Sequence, residues 1–387
     1  MLQLFDSLFA WVAARTAHRH WRGHLALATL LVAVVFQFPK LNHAYAQLVA
    51  HTEALDPKLQ RIQEQAAHPG ALHSDVASTH LAKMNFRLAV PLLLRLTHLP
   101  LLAILALQAL LGLLVFYYAA GWLAISVPDR VAVALLTLAL GRTYFGFTFT
   151  YDLSGYFDGF GYAALLFMLG ARRWAVVFGL CLAGAFVDER VLVASPLLVF
   201  WYGARTHDWQ RAGWRWLATR LATAVYAAWA AYAALRLTLA AHYHLPTRGG
   251  LVGPSALVFS TWNEQVAIGL ANSLKSFWLP VVLALALLWQ QRQRGALLLL
   301  LASFAPIFLG SFLITDITRS LAFGMPVAFI SLHLLGRHSA PPHLRYLGLV
   351  VVFFALLIPS YFTIGLLQYA SPVWMAALRM WAGSQRQ

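Results

Sequence analysis

Four short polar segments interrupt a chain that is otherwise mostly apolar. The segment HSDVASTHLAKMNFR, residues 73–87, carries Asp75, His80, Lys83 and Arg87, and YDLSGYFDG places Asp152 and Asp158 six residues apart. GAFVDERVLVASP sets Asp188, Glu189 and Arg190 in succession, and FLITDITRSLAFGMP separates Asp316 from Arg319 by three positions. Guanidinium groups grip phosphate oxygens in bidentate fashion. Carboxylates beside them can take a proton as general bases or hold a hard cation. The mixture suits a phosphate carried on a lipid.

Each segment also has a plainer use. Residues 73–87 read equally as a solvated stretch in which helical spacing puts Asp75 and Thr79 on one face and His80, Lys83 and Arg87 on another. His73, Asp75 and His80 do not match a strong metal-ligand spacing, so no metal site is assigned, and a divalent metal stays compatible with the carboxylates without a motif that calls for one. YDLSGYFDG, with Tyr151 and Tyr156, is an ordinary aromatic-anchored turn at an interface. Arg190 can simply neutralise Asp188 and Glu189, and Asp316 and Arg319 can pair at a helix start that itself favours an anion. Charges at a membrane boundary are costly unless paired or hydrated, which makes these groups, and Arg142 within an apolar run, candidates for function.

The elements that must position them are membrane helices. Of 387 residues 61% are apolar and 11% charged, and the mean hydropathy is +0.69; a soluble globule carries about a quarter charged residues. The formal charge of +15 does not signal nucleic acid, because the arginines cluster at the ends of long apolar runs instead of forming a wet basic face. One cysteine, Cys181, excludes a disulfide framework. With roughly 20 residues per crossing, spans fall near 23–39, 100–124, 131–149, 156–170, 174–187, 191–204, 221–240, 277–290, 295–313, 320–336 and 346–368. The expectation is an all-α polytopic bundle of about eleven spans, within about nine to twelve because the fourth to sixth are short.

Arg172 and Arg173, the group from Arg205 to Arg220, Arg292 and Arg294, and Arg337 and Arg345 occupy alternate connections, which the positive-inside rule makes cytoplasmic. The intervening connections hold the four polar segments and face outward, across what is expected to be a bacterial inner membrane. Residues 1–22 read as a cytoplasmic interfacial helix, 40–99 as a large outer loop with an interfacial helix, and 241–276 as a second outer loop, all within one membrane domain spanning 1–387.

This layout resembles the GT-C class of membrane glycosyltransferases, in which a first helix and a large outer loop with interfacial helices precede many further spans. The run HSDVASTHLAKMNFRLAVPLL is similar to that family's first-loop acid followed by an Arg and a Pro entering the second span. The resemblance implies transfer of a sugar from a polyprenyl-phosphate donor to an acceptor on the outer face. It makes Asp75 the catalytic acid or base, with Asp56 behind it, and assigns donor phosphate to Arg87, Arg190 and Arg319. The remaining polar groups, His80, Lys83, Asp152, Asp158, Asp188, Glu189 and Asp316, are then substrate-binding.

Two other classes compete. A transporter or flippase of lipid-linked or anionic substrates should show broken helices near the midplane, and no such pair is evident in the sequence. A non-catalytic assembly subunit would present its polar clusters to a protein partner. Neither the sugar nor the oligomeric state is legible.

Overall fold

The computed structural model describes residues 2–36, 46–47, 49–50, 54–69, 83–152, 155–207, 209, 212–244, 264–313, 316–364, 366–370 and 372. The architecture is helical, as expected, with one addition: a two-stranded antiparallel hairpin, Ser360–Ile364 and Leu366–Ala370, near the C-terminus. The hairpin lies where the last expected span, 346–368, was to end. The helix there runs only from Pro341 to Leu357.

Four helices are long and apolar enough to cross a membrane by themselves: Leu101–Ser126, Arg220–His242, Val266–Gln290 and Arg294–Ser311. Their outward sides carry large apolar residues, among them Leu110, Leu114 and Ile125, while Val115, Phe116 and Leu123 of the same first helix are buried. Apolar surface on both sides is what lipid outside and packing inside require. Shorter apolar helices, Trp21–Phe36, Asp158–Gly170, Trp174–Val187 and Pro341–Leu357, fill the remaining bundle.

Two expected boundaries shift. The helix Glu264–Leu274 lies within 241–276, expected as the second outer loop, but it continues through a tight turn at Lys275–Phe277 into Trp278–Gln290, and Val266–Gln290 is one candidate span. Lys275 is therefore buried, with its Nζ donating to the Arg142 carbonyl at 3.2 Å and to Ser360 Oγ at 2.8 Å. The expected span 131–149 is broken, because Arg130–Leu140 and Tyr144–Tyr151 form a pair bent by 53°. Thr143 caps the second half by accepting from Gly146 N at 3.2 Å. Arg142, at the break, lays its guanidinium over the Phe36 ring at 4.1 Å.

The 40–99 segment contributes Pro57–Ala67, a short 3₁₀ turn Lys83–Phe86, and Ala89–Thr97. Leu59 and Ile62 of the first helix pack with Val90 and Leu94 of the last, and with Leu101, Leu105 and Phe157. Gln65 Nε2 donates to the Met84 carbonyl at 3.0 Å. These contacts hold Arg87 beside the transmembrane bundle. The N-terminal helix Leu2–Thr16 buries Phe9 and Val12, with Phe9 edge-on to Tyr346 at 5.7 Å.

Candidate functional site

Three of the four polar segments converge, together with Arg87 from the end of the first. Asp158 is brought in by a sharp turn, in which Gly155 has φ 83° and Phe157 has φ 56°. Glycine takes the left-handed conformation without penalty, whereas Phe157 adopts it at a cost of about 1–3 kcal/mol. Its ring is almost wholly buried against the interfacial helices, and that packing offsets the strain. Asp152 braces the turn by accepting from Asp158 N at 3.1 Å, and Gln108 Nε2 donates to the Asp152 carbonyl at 3.2 Å.

Asp188 ends the helix Trp174–Val187 and folds back on its own chain, its Oδ1 accepting from Arg190 N at 2.9 Å. The same carboxylate receives Arg190 side-on, Nε to Oδ1 at 2.8 Å and Nη2 to Oδ2 at 2.6 Å. Arg87 Nη2 reaches Asp188 Oδ2 at 2.6 Å, and Arg319 Nη2 stands 3.6 Å from it. Three guanidinium groups thus surround one carboxylate. Burial alone would raise the Asp188 carboxyl, but Arg190 and Arg87 outweigh it and hold the group well below the ordinary carboxylate range.

Arg319 sits in the short helix Ile317–Ala322 and pairs with Asp158 through two bonds, Nε to Oδ2 and Nη2 to Oδ1, the latter at 2.8 Å. The Tyr156 ring lies 3.5 Å from its guanidinium carbon, and Tyr162 Oη donates to its carbonyl at 2.9 Å. Arg190 extends to the same helix, donating from Nη1 to Ser320 Oγ at 2.9 Å and resting over Phe323 at 4.8 Å. The approach depends on Gly161, where a Cβ would stand only 3.0 Å from the Phe323 ring.

Asp316 is the loosest carboxylate of the cluster. Its Oδ1 caps the helix by accepting from Arg319 N at 3.3 Å, and Oδ2 stays 3.7 Å from Arg319 Nη1. The internal Asp316 and Arg319 pair is therefore the weaker contact, and Asp158 is the main partner of Arg319. Burial pushes the Asp316 carboxyl up to about 6, with Arg319 and Arg190 compensating only in part.

The other named residues divide. Glu189 turns away to the rim, where it pairs with Arg236, which also donates to Tyr232 Oη at 3.0 Å and covers Phe86 at 4.2 Å. Asp56 lies at the start of the helix Pro57–Ala67, its carbonyl accepting from Leu59 N at 2.8 Å. Lys83 begins the 3₁₀ turn that leads to Arg87. Asp75 and His80 fall outside the described residues. Ser320, Tyr162, Phe323 and Arg236 are additions that no spacing announced, although Ser320 directly follows Arg319 and Tyr156 stands between the two aspartates of its segment.

Chemically, the cluster is a set of guanidinium groups held by carboxylates. Arg87 is the most exposed of the three, with 20% of its side chain open, while its Nη1 is buried and has no hydrogen-bond partner among the described residues. Asp158 and Asp188 are engaged with guanidiniums, and among the described residues no group of three or more His, Cys, Asp or Glu is placed to hold a metal. No family model, curated protein or solved structure matches the chain.

Proposed function

We propose that this protein is a membrane glycosyltransferase that moves a sugar from a polyprenyl-phosphate donor to an acceptor on the outer face of a bundle of about eleven crossings, the shorter apolar helices completing the set. The observation that carries the reading is the meeting of Arg87, Arg190 and Arg319 around Asp188 at one end of the bundle, beside helices suited to the membrane interface. Arg190 and Arg319 are fixed in place by Asp188 and Asp158, which is the preorganisation that stabilises charge developing on a leaving phosphate. Arg87, the most exposed of the three guanidiniums, is the one that meets the incoming donor lipid.

In the transfer, the acceptor hydroxyl oxygen bonds to the anomeric carbon while the bond from that carbon to the phosphate oxygen breaks. The bonding pair leaves with the phosphate, facing the guanidiniums, and the hydroxyl proton passes to a carboxylate. Asp316 is suited to that role, since a base works best with a pKa near the working pH, and Asp75 is the alternative that the family resemblance supplies. Assay of the purified protein with polyprenyl-phosphate sugars tests both. Asp316→Asn should lower turnover by about 100-fold or more and Arg87→Ala should weaken donor use. Full transfer by both folded variants would refute the assignment, and loss in Asp75→Asn alone would move the base to the first loop.

The bent pair Arg130–Leu140 and Tyr144–Tyr151 favours a second reading, transport of an anionic or lipid-linked substrate, because broken helices are where transporters place their sites. Against it, the carbonyl at the break is already held by Lys275. Substrate-dependent flux in liposomes without a covalent product would support the transporter.

A further inference from the structure

A second polar site lies at the other end of the bundle. The helix Asp158–Gly170 has 13 residues and starts in the charge cluster; at 1.5 Å per residue its far end is about 18 Å away. There Gly170, Arg172, Arg205 and Arg22 line a cavity of about 330 Å³ together with Trp122 and Trp201. No Asp or Glu is among its lining residues, and none of the three arginines has a carboxylate partner among the described residues. Arg172 and Arg205 are exposed and near enough to repel each other. Arg205 is anchored by long contacts, 3.4 Å each, to the carbonyls of Leu169 and Ala171. Three uncompensated cations around one hollow call for an anion.

The wall on the lipid side tells which kind. Leu110, Leu114, Tyr117 and Ile125 are exposed at 64%, 52%, 47% and 84%, and they recur at three-, four- and eight-residue intervals along Leu101–Ser126. That spacing puts them on one face of a helix that is long enough to cross the bilayer. Gly121 falls on the same stripe, and a Cβ there would stand 3.3 Å from Arg22 Nη1. The stripe is an apolar track ending at the arginines. A soluble anion would need the arginines alone, whereas an acyl chain along the track and a phosphate in the cavity use both.

We infer that this cavity binds the headgroup of an anionic phospholipid, with one acyl chain lying along the Leu110, Leu114, Tyr117 and Ile125 face. The inference is independent of the glycosyltransferase reading, since it concerns the opposite end of the molecule. An anionic lipid here is a resident of one leaflet that seats the short helices against the bilayer.

The test uses the full-length protein in mixed phosphatidylglycerol and phosphatidylcholine, read by native mass spectrometry. Each arginine near an anionic lipid is worth roughly fivefold, so phosphatidylglycerol should be retained at least about tenfold over phosphatidylcholine, and the Arg22→Gln/Arg172→Gln/Arg205→Gln variant should lose that preference. If that variant fails to fold, a photo-crosslinking residue at Ile125, in the chain with all three arginines, should label phosphatidylglycerol and not phosphatidylcholine. Equal retention of the two lipids, or a preference that survives loss of all three arginines, would overturn the inference, as would absence of selective labelling. Displacement of the lipid by low-millimolar inorganic phosphate would also overturn it, by showing a site for a free anion.

Discussion

Replacing Asp188 with asparagine changes one oxygen to nitrogen and should be among the most damaging isosteric substitutions in this protein. Oδ1 accepts from Arg190 N at 2.9 Å and Arg190 Nε at 2.8 Å, while Oδ2 accepts from Arg190 Nη2 and Arg87 Nη2, both at 2.6 Å. Whichever way the amide is turned, its NH₂ group faces two donors at hydrogen-bond distance, so two contacts become repulsive. The substitution also removes the carboxylate shared by three guanidiniums in a site where Asp188 is 1% exposed. Breaking a buried ion pair by removing one partner costs about 3–5 kcal/mol, and this change should lie at or above the top of that range. The measurement is unfolding of the purified protein in mixed micelles, followed by tryptophan fluorescence. Adding Arg87→Met to Asp188→Asn should recover part of the loss, because it removes one opposing donor and one uncompensated charge. A loss below about 1 kcal/mol for Asp188→Asn, or no recovery in the double variant, would refute the claim that Asp188 is the anion around which the cluster is built.

If Asp316 accepts the proton, transfer must rise with pH as its carboxyl ionises through about 6, and Asp316→Asn should abolish that rising limb in a pH and rate profile. Gly161→Val should destabilise by about 1–3 kcal/mol through overpacking against Phe323 and Val191, visible as a lower unfolding midpoint. Lys275→Met leaves the Arg142 carbonyl without its side-chain donor and should cost about 1–3 kcal/mol in the same assay. Glu189→Gln, by contrast, affects a rim pair in which the glutamate side chain is 36% exposed, and its effect should stay within about 1 kcal/mol.

Hydropathy carried much of the architecture. The helices Asp158–Gly170 and Trp174–Val187 lie where short apolar runs announced them, because a continuous apolar stretch between polar breaks leaves little choice of state. Arginine placement also sorted the connections: Asp158, Asp188 and Asp316 meet at one end, and Arg172 and Arg205 at the other. What periodicity could not reveal depends on tertiary geometry. The break after Leu140 falls at Gly141, Arg142 and Thr143, a short polar interruption that hydropathy averaged over a whole span conceals, and it is fixed by Thr143 capping and by Lys275, a residue 133 positions away from the carbonyl it holds. The left-handed Phe157 contradicts local preference and is set by packing against the first loop. Pairing was equally hidden. Spacing suggested Asp316 for Arg319 and both Asp188 and Glu189 for Arg190; the structure keeps Asp188 with Arg190, gives Arg319 mainly to Asp158 and turns Glu189 to Arg236.

The Asp158 and Arg319 pair has a consequence for how the protein is made. The two residues are 161 positions apart, so at about 5–20 residues per second the ribosome delivers them roughly 8–32 s apart. Throughout that interval Asp158 is without its main partner and has at most the longer contact to Arg190 at 3.6 Å, and a poorly compensated carboxylate is costly in hydrocarbon. The N-terminal end of the helix Asp158–Gly170 therefore waits at the water boundary until the helix Ile317–Ala322 arrives, and roughly the first four-fifths of the chain is an insertion intermediate in which Asp158 is still wet. Completion of the bundle and burial of its charges are then one late event in biosynthesis.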